Sequence, residues 1–280
     1  MVLKENFVLS NKVQIPKIGF GTWQINPGAY EAVTFALKAG YRHIDTAEAY
    51  GNEADCAKAI KDFGLKRDEV FITSKLPSHV KNFDDAKIHF EQSLQRMKTN
   101  YLDLYLIHAP WPWSDQHSDH KEGNIAVWKA FIDLYNEKKI RSIGVSNFGI
   151  KEVEYLYEAT GVYPHVNQVP LCIGVSQDEL RKHHHEKGIL VEAYSPLATG
   201  KLLDNPKVLE LAKKYNVTPA QICIKFTLQL DTLPLPKSTN ESRIINNAQM
   251  DFTIDQEDMD TLLNDPSIFQ THLKNRVKND

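Results

Sequence analysis

The chain has 280 residues, of which 42% are hydrophobic and 25% charged, as in ordinary globular proteins. Its 33 basic and 36 acidic side chains leave a formal net charge of −3, which excludes a general electrostatic attraction to nucleic acid or anionic membranes. The N-terminus lacks the apolar core of a signal peptide, no run approaches the roughly 18 apolar residues of a membrane span, and three scattered cysteines suit a reducing compartment, so we expect a cytoplasmic protein.

Short apolar runs alternate with helical periodicity along most of the chain. Residues 7–21 form two apolar runs around Ser10, Asn11 and Lys12, which indicates a β-hairpin acting as a lid on one end of the domain. Later apolar runs predict strands at 20–23, 43–45, 70–73, 102–107, 142–145, 165–169, 190–194 and 233–235. Helical spacing predicts helices at 30–38, 53–61, 84–97, 125–137, 152–159, 178–186, 208–215, 219–228, 242–248 and 256–263, with Asn52 as the N-cap of the second.

Eight predicted strands alternating with helices indicate an α/β protein. The order favours a (β/α)8 TIM barrel with an N-terminal β-hairpin and extra helices over an open doubly wound sheet. The helices at 208–215 and 219–228 follow one another without a strand, so one of them is an insertion, and the helix at 256–263 is a C-terminal addition. No linker divides the chain, so we expect a single domain over residues 1–280, with the polar tail from Asp265 running over the surface.

Polar side chains stand at the ends of three neighbouring strands. Asp45 ends the second strand and Tyr50 lies in the loop beyond it, while the third strand ends at Lys75 and the fourth ends at His108. The separations of 30 and 33 residues between Asp45, Lys75 and His108 are close to the length of one barrel repeat. Taken singly, such residues more commonly belong to structural ion pairs or are core histidines. Their convergence at the C-terminal rim of a barrel favours a catalytic site.

The chemistry of these four residues suggests a proton donor. A lysine at the mouth of an apolar barrel needs a counter-charge, and Asp45 is the nearest carboxylate to Lys75. The ammonium should favour the tyrosinate form of Tyr50 and lower its pKa from the usual value of about 10. His108 would orient a substrate carbonyl by hydrogen bonding, or share the proton.

Two groups of residues have side chains that bind metals in other proteins. They are Asp115, His117, Asp119 and His120 in the loop after the fourth strand, and His183, His184 and His185 on a predicted helix. Alternating polar residues in a loop are usually solvated, and consecutive helical residues point in different directions. We interpret both groups as surface residues and expect no metal.

The chain resembles the aldo-keto reductase family in segments that keep their order over nearly its whole length. The segments are GYRHIDTAEAYGNE at 40–53, ITSK at 72–75, DLYLIH at 103–108, IGVSNF at 143–148, VNQV at 166–169, AYSPL at 193–197 and LPKS at 235–238. The likeness is to compact prokaryotic members of the 2,5-diketo-D-gluconic acid reductase and glyoxal reductase kind, which lack a long C-terminal substrate loop. It implies a catalytic tetrad of Asp45, Tyr50, Lys75 and His108, with Tyr50 as the acid.

The resemblance also implies a nicotinamide cofactor extended across the rim. Tyr194 would stack on the nicotinamide and Ser146, Asn147 and Gln168 would bind its carboxamide, side-chain types that suit a planar amide ring. The other implied cofactor residues are Thr22 and Trp23, Ser195 and Leu197 along the pyrophosphate, Lys237, Ser238 and Arg243 around the adenosine 2′-phosphate, and Asn247 near the adenine. Because Lys and Arg flank a hydroxyl at a predicted helix start, NADP(H) is favoured over NAD(H); the alternative is that both are solvated surface charges.

The predicted substrate site is aromatic. Its residues are Trp23, Tyr50, His108, Trp111 and Trp113, which suit small or medium carbonyl compounds with an apolar or aromatic portion. The chain departs from the family at Ala109, where an aromatic residue often follows the histidine, so the two indoles of Trp111 and Trp113 would fill the vacated space. A second departure follows Gln168, where an acidic residue is common in the family and this chain has Val169 and Pro170. This second departure lies on the cofactor side of the site.

We therefore expect an NADP-dependent aldo-keto reductase that reversibly reduces aldehydes and ketones to alcohols, with hydride from the nicotinamide and the proton from Tyr50. We expect a monomer acting on a small carbonyl substrate, without nucleic acid or membrane as a partner. One alternative is a nucleotide-binding regulatory or sensor subunit of the same fold with little turnover. Another is an unrelated barrel enzyme for phosphorylated sugars, in which Lys237 and Ser238 bind the substrate phosphate.

Overall fold

The structure, a computed structural model, describes residues 1–264 together with 268, 273, 276 and 277. An antiparallel hairpin, β1 (Asn6–Val8) and β2 (Gln14–Pro16), precedes an eight-stranded parallel sheet. The strands of that sheet are β3 (Phe20–Gly21), β4 (His43–Asp45), β5 (Phe71–Leu76), β6 (Leu102–Ile107), β7 (Ile140–Ser146), β8 (Val166–Pro170), β9 (Leu190–Tyr194) and β10 (Leu233–Leu235). Every strand pairs with its neighbour in chain order, which confirms the predicted (β/α)8 barrel.

Helices connect the strands and surround the barrel. They are α1 (Ala29–Ala39), α2 (Glu53–Phe63), α3 (Phe83–Met97), α4 (Lys121–Asn136), α5 (Ile150–Thr160), α6 (Asp178–Lys187), α7 (Pro206–Tyr215), α8 (Pro219–Gln229), α9 (Glu241–Asn246) and α10 (Gln256–Asn264). Both α7 and α8 lie between β9 and β10, so one is additional to the repeat, as the sequence predicts. None of the helices within the described ranges is long and apolar enough to span a membrane.

The barrel closes between its first and last strands. The backbone N–H groups of Gly19 and Gly21 donate to the carbonyl oxygens of Pro234 and Pro236, both over 3.1 Å. A Cβ atom at Gly19 would lie only 2.5 Å from a methyl carbon of Leu235, so glycine is needed for this close approach.

The hairpin covers the N-terminal end of the barrel, which confirms its predicted place at one end of the fold. Leu9 and Ile15 from the hairpin pack with Leu104, Leu106 and Leu233 from the strands in one buried cluster. Burial of a side chain of this size contributes about 1.5–3 kcal/mol. With this end plugged by apolar side chains, the polar strand ends at the opposite rim remain for function.

Three local predictions are wrong or incomplete. Asn52 does precede α2, but its side chain makes no capping bond; it accepts from Thr46 Oγ1 over 2.6 Å and donates to two backbone carbonyls. His184 is fully buried and bonded to Asn167, not a surface residue, because α6 packs this side against β8. Asp265 lies outside the described residues; the described tail residues Ile268, Leu273 and Val277 are buried against apolar clusters rather than on the surface.

Candidate active site

Asp45, Tyr50, Lys75 and His108 meet at the C-terminal end of the barrel. The ammonium of Lys75 donates to Asp45 Oδ1 over 2.7 Å, to the backbone oxygen of Thr46 over 2.9 Å and to the hydroxyl of Tyr50 over 3.3 Å. The rings of Tyr50 and His108 pack edge to face with centroids 5.6 Å apart. The four predicted side chains thus form one connected group.

Local structure explains how Tyr50 reaches this group. It ends a short 3₁₀ helix, Glu48–Tyr50, that directly follows β4. The guanidinium of Arg96 on α3 donates to Glu48 and Glu53, and His89 lies 2.9 Å from Glu48. These contacts hold the turn on its outer side, and Lys75 holds Tyr50 on the inner side.

Burial dominates the electrostatics of Tyr50. Loss of solvent raises the pKa of its phenol; the nearby Lys75 ammonium lowers the pKa, Asp45 raises it, and the net pKa lies above the usual value. The expectation of a lowered Tyr50 pKa is therefore wrong, because the desolvation of a phenolate exceeds the attraction of one ammonium that is already paired with Asp45. Burial likewise disfavours the Lys75 ammonium, but Asp45 and Tyr50 together raise the Lys75 pKa.

His108 is a neutral imidazole in this setting. It is buried, its Nδ1 has no hydrogen-bond partner among the described residues, and burial together with the Lys75 charge lowers its pKa to about 3. Of the two roles left open by the sequence, hydrogen bonding to a substrate oxygen fits a neutral ring, whereas sharing a proton as an imidazolium does not.

A cavity of about 910 Å³ opens above the four residues. Its lining includes most of the residues singled out in the sequence, namely Trp23, Asp45, Tyr50, His108, Trp113, Ser146, Asn147, Gln168, Tyr194, Ser195, Leu197, Lys237, Ser238, Arg243 and Asn247. Three are absent from the lining. Lys75 lies beneath it, Thr22 is fully buried with its hydroxyl donating to the Asp45 backbone oxygen, and Trp111 stands behind Trp113.

One wall of the cavity holds a connected set of amide and hydroxyl groups. Tyr194 donates to Asn147 Oδ1 over 2.7 Å, and Asn147 Nδ2 donates to Ser146 Oγ and to the backbone oxygen of His108. Asn147 has φ 63° and Ser195 has φ 52°, left-handed conformations that are costly for residues other than glycine and cluster at functional sites. Gln168 lies beside them and donates to Asp45 Oδ2 over 2.8 Å, so this wall is bonded to the tetrad.

The far end of the cavity carries two cations. Lys237 and Arg243 are exposed and flank Ser238 at the start of α9. In the described part of the chain neither forms an ion pair with a carboxylate. Asn247 is buried close by and also lines the cavity. This end offers unpaired positive charge and a hydroxyl, which suit a phosphate group.

The mouth of the cavity is aromatic. Trp23 and Trp113 line it with 40% and 43% of their surfaces exposed, and the Trp113 ring packs edge to face on His108 at 5.9 Å. The loop that holds Trp113 is anchored from below, since Lys81 donates to the backbone oxygen of Ala109 and Asn124 donates to that of Pro110. The Ala109 side chain is buried, and it is Trp113 that faces His108.

Sequence reasoning missed several residues of the site. The lining also contains Gln24, Thr199, Gly200, Leu203, Thr218, Pro219, Ala220 and Arg276. Thr218 opens α8 with a capping box, a signal that marks a helix start but not what the helix faces. A buried carboxyl, Glu192 on β9, accepts from Gln168 Nε2 over 2.8 Å; its position within an apolar strand is a signal that could have been noticed.

The two groups considered for metal binding do not form a ligand set. Among the described residues no cluster of three or more His, Cys, Asp or Glu side chains is arranged to hold a metal ion. His120 instead lies near Asp115, with Nε2 3.4 Å from Oδ2, and His183 is 2.6 Å from Glu154. Both contacts are ordinary ion-pair geometry.

Comparison with known proteins agrees with the geometry. The sequence profile of the aldo/keto reductase family matches residues 17–263. A glyoxal reductase of Bacillus subtilis is 42% identical over 263 residues, covering 93% of this chain and 92% of its own, and an aldehyde reductase of Saccharomyces cerevisiae is 38% identical, covering 91% and 89%. The crystal structure of an aldo/keto reductase from Brucella melitensis superposes with a TM-score of 0.87 at 40% identity, covering 94% of this chain and 97% of that chain.

The match extends over nearly the whole chain in both sequence and structure. The chain therefore belongs to the aldo/keto reductase family, whose enzymes act on small carbonyl compounds with nicotinamide cofactors.

Proposed function

We propose that this protein is an NADPH-dependent reductase that converts aldehydes or ketones to alcohols, with Tyr50 as the proton donor. The observation on which the proposal depends is the hydrogen bond of 3.3 Å from the buried Lys75 Nζ to Tyr50 Oη, made at the floor of a cavity whose other end holds Lys237 and Arg243. One end supplies an acid, and the other supplies charge for a phosphate.

The chain's own residues define how a carbonyl would be held. Tyr50 and neutral His108 both line the cavity and would hydrogen-bond the carbonyl oxygen, and Trp23 and Trp113 would pack against its substituents. Because burial raises the pKa of Tyr50, the phenol is fully protonated at neutral pH and ready to donate. An alkoxide is a far stronger base than a phenolate, so the proton transfers even from a phenol with a raised pKa.

The amide wall fits a nicotinamide. Tyr194 would offer its ring to the heterocycle, and Ser146, Asn147 and Gln168 would hydrogen-bond the carboxamide. When bound, the dinucleotide would supply the hydride. Tyr194 is held by its bond to Asn147, and Gln168 is held by its bond to Asp45. Because both groups are held in place, they would present one face of the nicotinamide ring to the substrate.

The cationic end supports NADPH over NADH. Lys237 and Arg243 have no carboxylate partner among the described residues, so a 2′-phosphate would meet two cations and the Ser238 hydroxyl without displacing an existing ion pair. NADH lacks that phosphate and would gain nothing from the two charges.

The direct test is to follow NADPH absorbance with a panel of aldehydes, ketones and keto acids, with NADH run beside it. We expect turnover with NADPH and weaker turnover with NADH. Fluorescence quenching by NADPH without turnover of any carbonyl would instead support a nucleotide-sensing subunit. Failure to bind either dinucleotide would support the phosphorylated-sugar alternative.

A further inference from the structure

Glu192 is a buried carboxyl inside the barrel for which the proposed reaction has no role. It lies on β9, level with Gln168 on β8 in the strand register, and none of its surface is exposed. Gln168 Nε2 donates to Glu192 Oε2 over 2.8 Å and to Asp45 Oδ2 over 2.8 Å. Glu192 is therefore linked through one amide to Asp45, and through Asp45 to Lys75 and Tyr50.

These two acceptors determine the orientation of the Gln168 amide. A side-chain amide has two N–H donors and one carbonyl oxygen, and both N–H groups are used by the carboxyls of Asp45 and Glu192. A flipped amide would direct its oxygen at the Asp45 carboxylate, which has no hydrogen to donate. In the described part of the chain Gln168 Oε1 accepts no hydrogen bond, and Gln168 lines the cavity, so the oxygen is left for a ligand amide.

The charges around Glu192 favour its neutral form. The titratable groups that face it among the described residues are Asp45 and His43 on β4 and Lys75 on β5; Lys75 is already paired with Asp45. Glu192 Oε1 is buried, has no hydrogen-bond partner within the described part of the chain, and lies 3.9 Å from His43 Nε2, which is itself 2.9 Å from Thr73 Oγ1. An ionised Glu192 would be a second buried negative charge with one oxygen unsatisfied.

The titration directions agree with this geometry. Burial and the charge of Asp45 raise the pKa of Glu192 to about 8, although the Gln168 hydrogen bond and Lys75 lower it. Burial also lowers the pKa of His43 to about 3, so His43 is neutral and provides no counter-charge. Both directions favour an uncharged Glu192 and an uncharged His43 near neutral pH.

We propose that Glu192 is a positioning residue which, as a neutral acid, fixes the Gln168 amide toward the nicotinamide subsite and adds no second negative charge to that of Asp45 beside Lys75 and Tyr50. This inference rests on the proposed function. Ionisation of Glu192 at alkaline pH adds a negative charge to the network and disfavours the phenolate of Tyr50. Alcohol oxidation, which needs that phenolate as the base, is therefore held back as Glu192 ionises.

The test uses two substitutions in the full chain. Glu192→Gln keeps an acceptor oxygen for Gln168 but never ionises, and Glu192→Leu has similar volume but no acceptor. With NADP⁺ and an alcohol, we expect the ratio of kcat/KM of Glu192→Gln to that of the wild type to rise between pH 7 and pH 9. We expect Glu192→Leu to weaken NADPH binding by roughly threefold to tenfold, the loss of one net hydrogen bond, while Glu192→Gln stays close to the wild type.

A second readout needs neither turnover nor cofactor. Infrared difference spectra of wild type against Glu192→Gln should show the carbonyl band of a protonated carboxyl at pH 7 that disappears as the pH rises above about 8. A carboxylate band in its place at pH 7, or a ratio of kcat/KM that stays constant with pH, would overturn the proposal. Should the protein turn over no carbonyl compound, the proposed function fails, and the infrared spectra and the NADPH titrations of the two variants still decide the role of Glu192.

Discussion

The ammonium of Lys75 lies 3.3 Å from the hydroxyl of Tyr50 and is completely buried beneath it. A buried cation this close stabilises negative charge on the phenol oxygen, but the same burial disfavours the phenolate. In this protein burial is the stronger of the two effects on the Tyr50 pKa, so the phenol of Tyr50 stays protonated at neutral pH.

Replacement of Tyr50 by Phe removes the hydroxyl of the proposed proton donor and leaves the ring. We expect kcat for carbonyl reduction to fall by at least about 100-fold, the lower range for loss of a general acid. NADPH affinity, measured by fluorescence titration, should stay within about threefold, because the phenol is not part of the amide wall or the cationic end. Tyr163→Phe, which removes a hydroxyl bonded to Glu154 away from the cavity, is the matched control. Full activity of Tyr50→Phe would rule out Tyr50 as the donor.

The double substitution of Lys237→Ala with Arg243→Ala tests the cationic end of the cavity. Since charge-assisted hydrogen bonds contribute about 1.5–3 kcal/mol and both cations are exposed, we expect NADPH binding to weaken by at least about tenfold. NADH binding should change little. Lys129→Ala with Lys151→Ala removes two exposed charges outside the cavity and should alter neither. An unchanged preference between the two dinucleotides would contradict the phosphate clamp.

Trp113→Ala tests the aromatic mouth. Its ring packs on His108 at 5.9 Å, and aromatic contacts of this kind contribute about 0.5–1.5 kcal/mol. We expect KM for an aromatic aldehyde to rise about twofold to tenfold and KM for a short aliphatic aldehyde to stay nearly constant. Tyr157→Ala removes an aromatic ring of similar exposure, 40% against 43%, outside the cavity. Equal effects on both aldehydes would place Trp113 outside the substrate site.

Buried neutral histidines make the fold sensitive to acid. Burial lowers the pKa values of His43, His108 and His184 to about 3 in the folded protein, against about 6.5 in the unfolded chain. Between these values the unfolded chain binds more protons, so the free energy of unfolding falls as the pH decreases from about 6.5, by as much as about 2 kcal/mol per histidine at pH 5.

His184→Gln isolates one of these groups outside the active site. We expect urea unfolding at pH 7 and pH 5 to show a smaller loss of stability in this variant than in the wild type, even though its stability at pH 7 is lower because the bond to Asn167 changes. His185→Gln, an exposed neighbour on α6, should lose as much stability as the wild type. An identical pH dependence in His184→Gln and the wild type would contradict a neutral, buried His184.

Much of the fold was predictable because it depends on local repeats. Apolar strand cores and amphipathic helices recur at about the length of one barrel unit, so the strand ends at Asp45, Lys75 and His108 follow from spacing alone. The boundaries differ slightly: β5 runs to Leu76, one residue beyond the predicted strand end at Lys75. Pairing with β4 and β6 sets the length of β5, which the composition of β5 alone does not indicate.

The sequence by itself determined the barrel, the rim that bears the polar side chains, and the residue types that gather there. Only the tertiary structure decided which of these side chains are charged and which groups they bond to. The raised pKa of Tyr50, the burial of His184 and the link from Glu192 through Gln168 to Asp45 all depend on segments far apart in the chain. Periodicity in the sequence indicates which face of a helix or strand is apolar. The desolvation of a side chain and its hydrogen bonds depend instead on all the neighbours that folding brings into contact with it.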